Sequence, residues 1–205
     1  MSNDPDKARA DKHNKAMEKQ KANVDAGIAA ASEERGVAVL LTGDGKGKSS
    51  SAFGMVIRAL GYGQSVAVVQ FIKGEQLSGE ELFVRDQLPG VELVQMGTGF
   101  TWDTQDYEAD KQAAETTWIE AERMLGDSGL DLVVLDELTY MLAYKYLDEQ
   151  RVLDAIVNRP QEQSVVVTGR GGGSALQAVM DTVSEVKDVK HAYAAGVMAR
   201  RGVDY

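Results

Sequence analysis

The stretch Gly43-Asp44-Gly45-Lys46-Gly47-Lys48-Ser49 follows an apolar run, Val37-Ala38-Val39-Leu40-Leu41, and leads into a helix-like run from Ala52 to Leu60. A glycine-rich turn with a strand before it and a helix after it is a phosphate cradle, because glycines let backbone N–H groups approach anionic oxygens closely. In such a loop Lys48 reaches the terminal phosphates and the Ser49 hydroxyl sits on a magnesium ion. The spacing departs from the standard pattern: Thr42 stands where the first glycine is expected, and Gly43 comes one residue late. The candidate nucleotide-binding set is therefore Thr42, Gly43, Asp44, Gly45, Lys46, Gly47, Lys48, Ser49 and Ser50. The competing reading is a glycine-rich turn with exposed lysines.

Outward from this loop the chain has an α/β rhythm. Strand candidates are Val37–Thr42, Val66–Phe71, Val91–Gln95, Leu132–Asp136 and Ser164–Thr168, with a last short one that includes His191 to Ala195. The clearest helical runs are Ser50–Leu60 and Tyr107–Leu125. The strands are continuous apolar runs rather than alternating ones, as expected where both faces of a sheet are covered. The expected architecture is a RecA-like P-loop nucleotide-binding fold, a mostly parallel β-sheet flanked by helices and joined by right-handed crossovers. Residues 1–35 read as a polar arm with helical potential, and 36–205 as the catalytic domain. The arm has few apolar positions (Met17, Val24, Ile28), so an ordered helix there needs other contacts.

Further candidates fall at strand ends, the edge that faces the ligand in this class of fold. Leu132-Val133-Val134-Leu135 runs into Asp136-Glu137. Asp136 can bind the cation or orient a water on it; Glu137 can bind metal, position water or orient a ligand group. Gln70 and Lys73 follow the second strand, where Gln70 can bond a polar ligand group and Lys73 a phosphate. Thr168-Gly169-Arg170 follows the fifth, and Arg170 is the candidate for a second cationic phosphate contact. Gly97-Thr98-Gly99-Phe100-Thr101-Trp102 places two aromatics outside any regular apolar period. They form either a platform for a flat ligand or a satellite core. Trp118, inside a helical run, reads as packing.

Composition limits the alternatives. The chain has 205 residues, enough for one sizeable core, and no cysteine, which removes disulfides, thiolate metal sites and cysteine nucleophiles. Its two histidines, His13 and His191, have no metal-site spacing. The formal net charge is −10, and the stretch from Glu75 to Glu137 holds sixteen acidic residues against three basic ones. That field opposes a nucleic-acid backbone, so no nucleic-acid partner is expected. No window has the length and apolarity of a membrane span, and the first residues are unlike a signal peptide; a cytoplasmic location and no membrane association are expected.

Taken together, these motifs resemble the P-loop ATP:corrinoid adenosyltransferase family. They are Thr42 to Ser50, Gln70-Phe71-Ile72-Lys73-Gly74, Gly99-Phe100-Thr101-Trp102, Leu135-Asp136-Glu137, Thr168-Gly169-Arg170 and Val189-Lys190-His191. The likeness runs from the arm to Gly202, and the family shares the altered loop. Only near Met180–Val186 do Met180, Thr182, Ser184 and Val186 depart from the usual residues. The resemblance implies transfer of the adenosyl group of ATP to the cobalt of a reduced corrinoid, with release of triphosphate and a Mg2+ (or Mn2+) requirement. It implies that Lys48, Phe100, Trp102 and Arg170 serve catalysis and that Ser49 and Asp136 hold the metal. Phe100 and Trp102 would lie beside the corrin and favour loss of its lower axial ligand. It further implies a homodimer, an arm that orders over the corrinoid pocket, and a separate electron-donor protein. The rival readings are a P-loop NTP hydrolase acting as a switch, a RecA-like nucleic-acid-binding ATPase, and a structural P-loop relic.

Overall fold

The computed structural model describes residues 5–72, 77–97 and 106–205. The chain divides into two units, Met1–Glu34 and Arg35–Tyr205. Among its described residues the first contains one helix, α1 (Pro5–Ala30). Its charged surface includes the one-turn pair Lys21–Asp25 at 2.6 Å.

The second unit alternates strand and helix: β1 (Ala38–Thr42), α2 (Lys48–Gly61), β2 (Val66–Gln70), α3 (Gly79–Gln87), β3 (Glu92–Gln95), α4 (Tyr107–Leu125), β4 (Leu132–Asp136), α5 (Leu138–Ala143), α6 (Glu149–Val157), β5 (Ser164–Thr168), α7 (Gly173–Val179) and β6 (Thr182–Glu185). The strands form one sheet in the order β3-β2-β4-β5-β1-β6, and every pairing is parallel. One strand, β5, separates the strand of the glycine loop from the strand of Asp136. That is the RecA-like arrangement expected from the sequence, and it sets the spacing between the loop and the acids.

All five residues of β2 and of β4 are buried, which explains their unbroken apolar character. Alternate residues serve opposite faces. Val66, Val68 and Val134 pack with Phe53, Val56 and Val84 of α2 and α3. Ala67, Val69, Val133 and Leu135 pack with Trp118, Met124, Met141 and Ile156 of α4, α5 and α6. Trp118 is fully buried, 6.2 Å from Phe71 between ring centres, so its reading as packing holds.

The last strand is not where the apolar pattern put it. His191–Ala195 lies at a short 3-10 helix, Ala192–Ala195. The sixth strand is Thr182–Glu185, which is exposed along its length and carries one apolar side chain. An exposed edge strand needs no apolar run, so periodicity is silent there. It is held through Asp181, whose carboxylate accepts from Arg35 Nη1 and Nη2 at 2.9 and 2.7 Å and from the Ala38 amide at 2.8 Å. Hydrogen bonds from Arg35, then from Ala38, lower the Asp181 pKa from 3.8 to about 2. A lowered carboxylate pKa gives stability that is complete above the unfolded value and lost as pH falls through the folded one. After allowance for solvent screening, Asp181→Asn is expected to cost ~1 kcal/mol near neutral pH. In urea unfolding the gap between variant and parent should close as pH drops from 4 towards 2. A gap that stays constant over that range would remove the ion pair as its cause.

Candidate active site

The C-terminal ends of β1, β2, β4 and β5 open on a cleft of about 1030 Å3. Its walls include Asp44, Gly45, Lys46, Gly47, Lys48, Ser49 and Ser50 from the glycine loop, Gln70 from β2, Asp136 and Glu137 from β4, and Arg170 from the turn after β5. The fold thus gathers most of the site residues expected from sequence. Thr42 and Gly43 do not line it. Thr42 is buried, and its hydroxyl donates to the Gly171 carbonyl at 2.5 Å, bracing the loop against the turn after β5. Lys73, Phe100 and Trp102 lie outside the described residues.

The glycines of the loop have different causes. Gly47 has φ 114° and is the N-cap of α2, with open space where a Cβ would stand; it is needed for its backbone conformation. Gly45 is needed for room. A Cβ there would stand 2.6 Å from the Lys187 carbonyl oxygen, and the Gly45 amide donates to the Val186 carbonyl at 2.7 Å. A Cβ on Gly43 would likewise meet the Val186 carbonyl. Two loop glycines therefore serve the close approach of the segment after β6, and the Gly45 amide is already spent. Gly45→Ala is expected to cost about 2 kcal/mol of stability without any nucleotide. Urea unfolding of the ligand-free protein measures this, and unchanged stability would refute the steric assignment.

Helix starts along the chain are of two kinds. Side chains cap α3 (Ser78), α4 (Asp106) and α6 (Asp148). By contrast α2, α5 and α7 begin after left-handed residues, Gly47, Glu137 and Gly172, with no side-chain cap. The first amides of α2 are left without a side-chain acceptor, at the end of the helix where an anion is favoured.

Lys48 is 8% exposed, and its Nζ donates to the Gly45 carbonyl at 2.8 Å. Burial lowers its pKa from the usual lysine value; Glu137 opposes the shift and Arg170 adds to it. A buried ammonium held by one carbonyl is poised to move to a stronger anionic acceptor. Asp136 is 3% exposed and accepts from Thr168 Oγ1 at 2.6 Å and Gln70 Nε2 at 3.0 Å. Thr168 Oγ1 also accepts from the Glu137 amide at 2.9 Å. Sequence reading noticed Thr168 only as part of a motif; its hydroxyl orients Asp136. Glu137 takes φ 61°, unusual for a residue with a side chain. Its Oε2 is buried and has no hydrogen-bond partner among the described residues. Burial first, then Asp136, raises its pKa from 4.5 to about 7, against Lys48 and Arg170. Arg170 lies 3.9 Å from Asp44, with both side chains exposed.

Two features of the cleft escaped the sequence reading. Tyr140, on α5, lines it, and so do the C-terminal residues Gly202 to Tyr205. Lys46 pairs with Asp204 at 3.1 Å. His191, left open between an anion contact and a structural role, lines the cleft and accepts from the Tyr193 amide through Nδ1 at 3.2 Å.

Residues 34–205 match the family described as ATP:corrinoid adenosyltransferase BtuR/CobO/CobP. The chain belongs to this family. It is 50% identical to a corrinoid adenosyltransferase of Pseudomonas aeruginosa over the whole of both chains. It is 49% identical to corrinoid adenosyltransferase CobA of Salmonella typhimurium over 95% of this chain and 98% of that one. A Sinorhizobium corrinoid adenosyltransferase is 36% identical over 95% of this chain and 92% of its own. Among solved structures, the flagellar accessory protein FlaH from Methanocaldococcus jannaschii gives a TM-score of 0.47 at 9% identity, covering 76% of this chain and 73% of that one. In this chain the loop, the acid pair and Arg170 share one cleft, with β5 standing between β1 and β4.

The residues fit a divalent cation. Among the described residues each oxygen of Asp136 accepts one hydrogen bond and keeps acceptor capacity, Glu137 offers an oxygen with no partner, and the Ser49 hydroxyl lines the same cleft. No cluster of three or more His, Asp or Glu occurs among the described residues. One or two carboxylates with a hydroxyl and substrate phosphates suit Mg2+, which keeps several of its waters.

Proposed function

We propose that this chain transfers the 5′-deoxyadenosyl group of ATP to the cobalt(I) of a reduced corrinoid. The cobalt electron pair forms the bond to C5′, the C5′–O bond breaks, and triphosphate leaves with that bond's electrons. The carrying observation is the joining of an uncapped P-loop helix, a buried lysine and the Asp136-Glu137 pair in one cleft, in a member of this family. The protein supplies no nucleophile. Its tasks are alignment, exclusion of competing water and stabilisation of charge on the leaving group.

Lys48 and Arg170 offset charge on the departing triphosphate, and the amides at the start of α2 hold it. Ser49 and Asp136 hold Mg2+ (or Mn2+), which supplies charge neutralisation of the phosphates. Gln70 fixes the Asp136 carboxylate. Lys73 reaches phosphate, and Phe100 and Trp102 form the platform beside the corrin. The active form is a cytoplasmic homodimer served by a separate electron-donor protein. Among the described residues no helix is long and apolar enough to cross a membrane.

The test is direct. Protein, Mg-ATP and chemically reduced corrinoid are mixed and the products resolved by mass. Adenosylcorrinoid and triphosphate in equal amounts are expected. ADP as the nucleotide product, with or without corrinoid, would replace this reading by hydrolase chemistry.

A further inference from the structure

The hydrogen bonds that hold Asp136 do not end at Gln70. Gln70 Oε1 accepts from Gln95 Nε2 at 2.9 Å, and the same nitrogen donates to Glu81 Oε1. Glu81 Oε2 accepts from the Ser78 amide at 2.7 Å, while the Ser78 hydroxyl accepts from the Glu81 amide at 3.4 Å. A run of polar groups thus crosses from β4 through β2 to β3 and into the first turn of α3. That turn itself lines the cleft with Ser78, Gly79 and Glu80. Asp136, Gln70 and Glu81 are 3%, 4% and 2% exposed, whereas Gln95 is exposed on the edge strand.

The run has a direction set by its two ends. An ionised carboxylate only accepts hydrogen bonds. Asp136 therefore draws the NH2 of Gln70 inward, which turns the Gln70 carbonyl towards β3, where it needs a donor. Gln95 is that donor, and Glu81 keeps the Gln95 amide in the matching orientation. Without Gln95 the buried Gln70 carbonyl loses this partner and its amide is free to rotate. A rotated amide presents oxygen to Asp136 and repels it. Buried polar groups in such a chain are costly when one link is missing.

We propose that Gln95 and Glu81 are positioning residues for adenosyl transfer: acting through Gln70, they hold the Asp136 carboxylate ready for the divalent cation of the ATP complex. The proposal rests on the ATP-and-cation reading given above. Groups that orient a ligating carboxylate typically matter 10- to 100-fold in metal affinity or activity.

The test needs no turnover. ATP affinity is measured by calorimetry without corrinoid, once with Mg2+ and once with EDTA, and the ratio is the gain due to the cation. Gln95→Met keeps the length of the side chain and removes the donor. It should reduce that gain about tenfold and leave the affinity in EDTA unchanged. Glu81→Gln keeps one acceptor oxygen, which can serve Gln95 while the Ser78 amide loses its partner, and should retain more of the gain than Glu81→Leu, which removes both acceptors and should lose it. The double variant Gln95→Met/Glu81→Leu should lose no more than the worse single one, since both act through one amide. A folded Gln95→Met with the parent's cation gain overturns the proposal, as do losses that multiply in the double variant. Equal weakening with Mg2+ and EDTA, together with a lower Tm, would show a structural role and overturn it too. If the parent shows no cation gain, the cation reading itself falls; a normal parent with an unaffected variant sinks the relay alone.

Discussion

Replacing Lys48 by alanine is expected to lower the rate of adenosyl transfer by about 10³-fold, the upper end for loss of one preorganised donor at a developing anion. Corrinoid affinity should be unchanged, because in the proposed function the lysine serves the nucleotide. Its setting explains the size of the effect. At 8% exposure Lys48 has little water, and among the described residues its hydrogen bond is to the Gly45 carbonyl. Exchange of that carbonyl for a phosphate oxygen turns a neutral acceptor into an ionised one, roughly twice as strong. The neighbouring Glu137, Asp44 and Asp136 carboxylates help keep the ammonium charged against its burial. Rates with saturating ATP and prereduced corrinoid, paired with corrinoid binding by absorbance, measure both expectations. Equal loss of transfer and of corrinoid binding in a folded variant would move Lys48 out of this role.

The second large effect concerns Phe100 and Trp102. If these rings stabilise a corrinoid that has lost its lower ligand, the double change Phe100→Ala/Trp102→Ala removes two stacking contacts of about 1.5 kcal/mol each. That is roughly 10²-fold in the population of four-coordinate cobalt(II). Electron paramagnetic resonance with ATP present reads that species directly. In that case their role is in reduction rather than in alkyl transfer, so the two steps should separate. Transfer starting from cobalt(II) and a reductant should fall with the four-coordinate signal. Transfer from corrinoid already reduced to cobalt(I) should fall much less. An unchanged four-coordinate signal in the double variant would count against the platform and favour the satellite-core reading of these rings.

The strand ends were the legible part of the site. A continuous apolar run reports a strand covered on both faces, and its last residues then point to one edge of the sheet. Val66–Phe71, Leu132–Asp136 and Ser164–Thr168 could all be placed this way, the first one residue too long, and with them Gln70, Asp136 and Arg170. The left-handed turn at Gly47 was also readable, because glycine is the residue that takes that conformation without strain. Gly43 also has a positive φ, 96°, but the sequence does not show that the missing Cβ of Gly43 and of Gly45 makes room for Val186 and Lys187, well over a hundred positions away. The strand Thr182–Glu185 gave no signal because an exposed edge asks for no apolar pattern. Its anchor, Asp181, looks like any polar residue until Arg35 and Ala38 are seen beside it.

Local rules thus determined what this chain is made to hold: a glycine loop between strand and helix, with acids at the end of a second strand, is legible from neighbours in sequence, and its likeness to a family follows from the same residues. The sheet order decided the rest. Placing β4 next to β2 and β5 is what sets Gln70 and Thr168 on either side of Asp136, and placing β3 beside β2 is what brings Gln95 and Glu81 to Gln70. Such contacts arise from which strands pair and in what register, and pairing between distant segments is fixed by the packing of the whole core rather than by any residue's neighbours along the chain.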